Sequence, residues 1–490
     1  MEIDKPNGFT EQEQRAFARL SGDVNPIHLD AATARRTPFG RPIAHGVHVV
    51  LWALEQAMAQ WDEASGARWR LQRLRTQFTL PLRVGEPLRL RLNANQPQTC
   101  ELEVLDRFGQ SAMSIHAVFE PAQSALTPPR DDDPPVEQPQ DAELATLVGQ
   151  TVRPPLHLSP SGAAALLPTL SRMLEPAQLA FLAACSAVVG MRAPGLRSLF
   201  LKLALEWDAA VDLSDAQGAQ YEYGVTGLKM RGSLAAIGVA GAGLRGELLA
   251  QRRPEGVEQP AAAELAALLE GNKPFTNCRA LVVGGSRGLG EVAAKLLALG
   301  GAEALLTSRS SGGSAQKVVE EIQALGGRAR AIALDIADPA GLPEQLDGRA
   351  PDLLAYFATP PIFVAAPGHF SAQMFRYYTD YYVDGFLNLL DTLAPLGLRG
   401  MRILYPSTAA LDASRSPELG PYAAAKAAGE QLGLHAQRCW GVRAHMPRWP
   451  RLETDQTLSL TWGPAQENPS GAILLQALMH TWGARADSPE

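Results

Sequence analysis

Residues 278–301, CRALVVGGSRGLGEVAAKLLALGG, constrain this chain more than any other stretch. A short apolar run stops at a cluster of glycines, and an apolar pattern of helical period starts directly behind it. Gly284, Gly288 and Gly290 follow the spacing GxxxGxG, with Ser286, Arg287 and Leu289 filling the turn. Glycine lets the backbone approach a bound group closely, and the unpaired amides of a helix start attract an anion such as a pyrophosphate. A strand–turn–helix of this kind needs parallel neighbours. The rest of 275–490 supplies them, because strand and helix patterns alternate to the end.

The remainder divides at two proline-marked breaks. Residues 121–144 are rich in Pro and Asp with little to bury, and read as an exposed linker. Residues 253–274 read as a second linker holding a short helix. Between them, 1–120 and 145–252 show the same order: a helix and then extended, partly alternating segments. In 1–120 the helix is AHGVHVVLWALEQAMAQW, and the extended segments include TCELEVLDR and QSAMSIHAVFE. In 145–252 the helical stretch is LLPTLSRMLEPAQLAFLAACSAVVGM, followed by three extended runs, the last being RGSLAAIGVAGAGLRGELLAQ. One architecture used twice is the expectation.

The totals narrow the classes. Across 490 residues, 46% hydrophobic and 19% charged content suits folded domains rather than disorder. A net charge of −7 offers no basic face for nucleic acid. Four scattered cysteines without CxxC spacing suggest a reducing compartment with neither disulfides nor a zinc site. MEIDKPNGFT lacks the apolar stretch of a secretion signal, and no apolar run is long enough to span a bilayer, so the expected place is the cytoplasm, without membrane contact.

SGDVNPIHLD, residues 21–30, places an Asp, an Asn, a Pro and a His within six residues. It is too polar for a core strand, and Pro26 ends any helix arriving from EQEQRAFARL. Asp23 alone would read as a turn former. With His28 five residues on, a carboxylate and an imidazole can converge on one water, one as base and the other returning a proton. His28, His45 and His48 lack a carboxylate or thiolate at helical spacing, so no metal is expected; His45 and His48 read as packing or substrate-lining residues.

This stretch, with FGRPIAHGVHVV behind it, resembles the (R)-specific enoyl thioester hydratases of the hot-dog fold, the MaoC-like family. The match runs through Ser21, Gly22, Asp23, Asn25, Pro26, His28 and Asp30, then Phe39 to Ile43, His45 and Gly46. The resemblance implies that Asp23 and His28 act on one water. The amide of Gly46, at a helix start, would stabilise the thioester oxygen as it gains enolate charge. MRAPGLRSLFLKLALEWD resembles a hot-dog segment without the Asp–His motif, which implies a degenerate second half walling one side of an acyl tunnel. The expected fold is an α+β double hot-dog followed by an α/β Rossmann domain, a doubly wound parallel sheet.

The glycine turn, with YAAAK about 130 residues later, resembles the short-chain dehydrogenase/reductase family. Tyr422 and Lys426 share one helical face. The resemblance implies that Tyr422 protonates a carbonyl oxygen during hydride transfer, while Lys426 lowers its pKa and binds the nicotinamide ribose. Ser407 and Thr408 are both candidates to hold the carbonyl, with Thr408 nearer the family spacing. Arg309 stands where an acidic residue would bind the ribose of NAD. With Arg287 it suits the phosphate of NADP. Asp335 matches the adenine-contacting Asp. The chain departs from the family at Tyr356–Thr359 (YFAT for NNAG) and at Tyr382, which replaces a relay Asn. Its hydroxyl, or a water by another route, would have to complete the proton relay to Lys426. Arg448, Trp449 and Arg451 are candidates to contact an acyl carrier or a CoA phosphate.

Together these features predict a bifunctional NADPH-dependent 3-oxoacyl-thioester reductase and (3R)-hydroxyacyl-thioester dehydratase. It would act on acyl-CoA or acyl carrier protein thioesters as a homodimer or higher homo-oligomer formed through the dehydrogenase domain. The alternative is a hydratase alone, carrying a non-catalytic NADP-binding module.

Overall fold

A computed structural model describes the whole chain except residues 62–67, 97, 123, 212, 216–217, 231–232, 310–312, 363–369, 413–418, 453, 455–456, 458–469 and 484–490. The polypeptide forms two units, Met1–Glu255 and Gly256–Glu490.

In the first unit nine of the described strands form one antiparallel sheet. Its order is Glu2–Lys5, Leu88–Gln96, Thr99–Leu105, Ser111–Pro121, Trp69–Phe78, Ser198–Trp207, Leu244–Arg252, Leu234–Gly241 and Tyr221–Lys229. Leaving aside the first short strand, the order read outward from the centre is the same in both directions. The two halves are copies of one pattern, joined where Arg73–Gln77 pair antiparallel with Lys202–Glu206. The sheet wraps the helices Gly46–Met58 and Pro176–Ala187, which are buried on nearly every side. Burial of this kind explains why the first of them, VVLWAL at its centre, shows no polar stripe.

Two expectations about this unit need correction. The apolar run 166–191 is not one helix. Pro168 and Pro176 each sit at a helix start, giving Pro168–Met173 and Pro176–Ala187, because a proline lacks the amide a continuous helix would need. Over the run 231–251 the described residues form not one strand but a hairpin, Leu234–Gly241 and Leu244–Arg252, turning at Ala242 and Gly243, both with positive φ. That is the backbone of a two-residue hairpin turn matched to strand twist. The described residues of 122–143 carry almost no regular secondary structure and are mostly exposed, yet are tied down: Gln140 N–H donates to Met191 O at 2.8 Å and Leu196 N–H to Gln140 O at 2.7 Å.

The second unit is a six-stranded parallel sheet among the described residues, ordered Arg328–Ala333, Glu303–Ser308, Arg279–Val283, Leu353–Tyr356, Arg402–Leu404 and Arg443–His445. The order reverses beside Arg279–Val283, the first strand in sequence, and that is where such sheets open a ligand crevice at their carboxyl ends. The helix Ala262–Leu268, in the stretch read from sequence as a linker, belongs to this unit and buries Ala262 and Leu265 in its core.

Candidate active sites

The first site is built by the end of a helix. Glu11–Ser21 stops at Gly22, whose φ of +75° is the left-handed conformation glycine adopts without penalty. Asn25 then caps the short helix Pro26–Leu29, its Oδ1 accepting from Ile27 N–H at 3.1 Å, with Pro26 at the first helical position. This answers why the polar run exists. Its Asn and Pro shape a loop that aims Asp23 and His28 into one pocket.

That pocket is lined by Asp23, His28 and Gly46, with apolar walls including Phe78, Leu80, Met113, Val189 and Phe200. Asp23 is 2% exposed. Burial raises its pKa, against the lowering effects of His28, a Ser186 hydrogen bond and the Asn25 amide. Burial lowers the pKa of His28, and the Asp23 charge opposes it. His28 Nδ1 lies 2.7 Å from the carbonyl of Ile43, which must accept its proton, so Nε2 is the nitrogen free to serve as base. Gly46 begins the central helix, and a Cβ there would come within 2.8 Å of Phe78 Cε1.

His45 and His48 form a buried network behind this pair, with the His45 ring stacked on His28 at 3.9 Å between centroids. Gln14 contacts His48 Nδ1 at 3.0 Å and His45 Nδ1 at 2.7 Å, while His45 Nε2 lies 3.0 Å from the Asp23 carbonyl. Asp23, His28 and His45 offer possible ligand atoms within 4.8 Å of one another. Both nitrogens of His45 already face protein partners, however, so the trio does not fit a metal ion. Sequence reasoning missed Ser186, whose hydroxyl donates to Asp23 Oδ2 at 2.7 Å, and the aromatic pair Phe78–Phe200, with centroids 4.9 Å apart.

In the second unit the glycine turn joins strand Arg279–Val283 to helix Gly288–Leu299. Gly284 adopts φ +79°, with its Cβ position about 3.0 Å from the Phe357 backbone. A Cβ on Gly290 would lie 2.2 Å from Gly284 O. Glycine at these two positions lets the turn pack against neighbouring backbone at the start of helix Gly288–Leu299. Ser286 is buried in the turn, and Leu289 packs against the core. Arg309, with its side chain 75% exposed, pairs with Asp335 at 3.3 Å.

Tyr422 and Lys426 lie on helix Gly420–Trp440. Burial pushes Tyr422 up to about 12, against a Thr408 hydrogen bond that lowers it. Burial takes Lys426 down to about 7, against the charge of Glu430. The two hydroxyls of 407–408 part company: Thr408 bonds Tyr422, whereas Ser407 donates to Glu430 Oε1 at 2.5 Å. Arg448, expected to meet a phosphate, is held by Glu430 at 2.7 Å and by Asp412. Trp449 packs against the core. Part of the loop around Arg451 lies outside the described residues.

The fold and these constellations define two classes in one chain: a hot-dog hydratase region and a Rossmann dehydrogenase. Comparison with known proteins agrees. Residues 1–104 match the MaoC like domain, and residues 279–441 match the short chain dehydrogenase family. The chain therefore joins a MaoC-like hydratase domain to a short chain dehydrogenase domain. The (R)-specific enoyl-CoA hydratase of Aeromonas caviae is 40% identical over 78 residues, 16% of this chain and 56% of that protein. A peroxisomal multifunctional enzyme type 2 of Drosophila melanogaster is 34% identical over 83 residues, 17% of this chain and 14% of that one. The chain thus spans little more than half of the first of these relatives and a seventh of the second. A solved short chain dehydrogenase from Burkholderia cenocepacia, in complex with NADP, is 32% identical, covering 36% of this chain and 74% of that one with a TM-score of 0.31. No helix among the described residues is long and apolar enough to cross a membrane.

Proposed function

We propose that the chain is a bifunctional 3-oxoacyl-thioester reductase, using NADPH, and (3R)-hydroxyacyl-thioester dehydratase. The observation that carries the reading is the Asp23–His28 pair: two titratable groups facing one apolar pocket, shifted by burial and by each other. In hydration Asp23 and His28 take a proton from water as its oxygen bonds C3 of the enoyl thioester. The same pair returns a proton to C2, while the Gly46 amide bears the thioester oxygen's charge. Dehydration is the reverse, with C3–O cleavage releasing water.

At the second site NADPH, when bound, supplies a hydride to C3 of a 3-oxoacyl thioester. Tyr422 gives its proton to the carbonyl oxygen that Thr408 holds, and the Lys426 ammonium favours the resulting phenolate. Gly284, Gly288 and Gly290 would receive the pyrophosphate, Arg309 and Arg287 the 2′-phosphate, and Asp335 the adenine. The 3-hydroxyacyl product is the substrate of the first site, which supports pairing the two activities in fatty-acid or polyketide-type synthesis. The thioester carrier is CoA or acyl carrier protein, the setting cytoplasmic, and the assembly a homodimer or larger oligomer through the dehydrogenase domain.

A second reading, hydratase with a cofactor-binding but non-reducing partner domain, draws support from the tyrosine at 382. Mass spectrometry of 3-oxoacyl thioesters incubated with and without NADPH separates the two. Enoyl product formed only with NADPH supports the bifunctional reading. Hydration of enoyl substrate without any reduction supports the second.

A further inference from the structure

We propose that Ser186, in the half of the hot-dog unit that lacks the Asp–His motif, is a positioning residue for Asp23, so that the hydratase site is a composite of both halves. The proposal rests on the hydratase reading and deepens it. Ser186 stands in the last turn of helix Pro176–Ala187, 4% exposed and lining the pocket. Its Oγ–H donates to Asp23 Oδ2 at 2.7 Å across 163 residues of sequence, while Oδ1 accepts from Asn25 N–H at 3.2 Å. The carboxylate is thus held at one oxygen by its own loop and at the other by the opposite half.

Gly190 supplies an independent observation. It lies in the π-helical turn Val188–Arg192, which follows Ser186's helix directly. Its φ is not positive, so the backbone does not demand glycine there. Space does: a Cβ at 190 would fall 2.3 and 2.5 Å from the two Asp23 oxygens. The carbonyl of Gly190 also accepts the Asn25 side-chain amide at 2.7 Å, and that of Gly195 accepts it at 3.1 Å. Residues 186–195 of the second half therefore supply a hydroxyl, a space without a side chain and two carbonyls to the loop bearing Asp23. Its contribution is more than a wall.

The chemistry follows from the donor. A hydrogen bond to an ionised carboxylate favours the charged form, countering the burial that disfavours it. The groups facing Asp23 are the His28 and His45 rings, Ser186 and the Asn25 amide, and Arg253 acts on His28. Ser186 is the neutral side-chain donor among them, beside the Asn25 backbone amide, so its loss raises the Asp23 pKa without changing any charge.

The test is hydration of crotonyl-CoA by the full chain across pH. Ser186→Ala is expected to lower kcat about tenfold with KM nearly constant, and to move the acid limb of kcat/KM upward by about one pH unit. Ser186→Thr, which keeps the hydroxyl, should restore the limb. Gly190→Ala should lower kcat at least as far, by displacing the carboxylate. An Ser186→Ala variant with unchanged rate and unmoved limb overturns the proposal while leaving the hydratase reading intact. A chain with Ser186 intact that hydrates no thioester overturns the reading, and the proposal with it.

Discussion

The ammonium of Lys426 lies 4.0 Å from the ring centroid of Tyr382, held over its face. A second ring, Tyr405, stands 4.9 Å away, and the ammonium donates a hydrogen bond to the Pro406 carbonyl at 2.7 Å. Tyr382's own hydroxyl meets Thr359 Oγ1 at 2.5 Å. Thr359 donates onward to Pro360 O at 3.1 Å, so the proton between the two hydroxyls comes from Tyr382. The phenol offers the lysine its face and not its oxygen, which removes the relay through the Tyr382 hydroxyl considered from sequence. Tyr405 meanwhile donates to the Tyr382 carbonyl at 2.9 Å. Two aromatic rings thus flank this lysine beside the Pro406 carbonyl.

Reduction should be slow but real. With acetoacetyl thioester and NADPH, nicotinamide absorbance is expected to fall, and Tyr422→Phe should stop that fall while leaving cofactor binding in place. Binding without oxidation across several acyl lengths would move the conclusion to the hydratase-only reading.

The pH profile of reduction should report Lys426. The proposed mechanism requires its ammonium, and with the pKa depressed to about 7 by burial the rate should decline as pH rises through that value. Glu430 holds the pKa up by its charge. Glu430→Gln should therefore carry the alkaline limb to lower pH, whereas a limb that stays in place would detach Lys426 from the reaction.

Hydration should depend on Asp23 and His28. Asp23→Asn or His28→Ala is expected to lower crotonyl thioester hydration by at least about 10²-fold, the scale for losing a general acid–base group. Steady-state reduction by the other site should not change. Full hydration by Asp23→Asn would remove the assignment.

Cofactor preference should follow Arg309. Arg309→Asp is expected to weaken NADP binding by roughly 1–3 kcal/mol, the range for charge-assisted hydrogen bonds, with little effect on NAD. Titration of both cofactors into the unsubstituted protein is the first check, since equal affinities would leave the arginine without a role.

What could be read from the sequence was local. Asp23 and His28 lie in one loop, Tyr422 and Lys426 on one helix face, and the glycine turn is a single continuous stretch, so spacing alone exposes them. Ser186 and Gly190 escaped because a serine and a glycine in an apolar helix carry no signal; their meaning comes from a contact 163 residues distant. The hairpin at Ala242–Gly243 escaped because alanine is a poor advertisement for positive φ. Pro168 and Pro176 were legible helix breaks that the continuous apolar pattern outweighed. Thr408 and Ser407 could be separated only by the partners each side chain meets, Tyr422 and Glu430.

The seam between Arg73–Gln77 and Lys202–Glu206 has a kinetic meaning. Both pairing strands belong to one polypeptide, so their meeting is a first-order event and not an encounter between molecules. A site that needs Asp23 from one side and Ser186 from the other is thereby insured against dilution. Specific hydratase activity should stay flat as the protein is diluted, because the partner that completes the pocket travels with it.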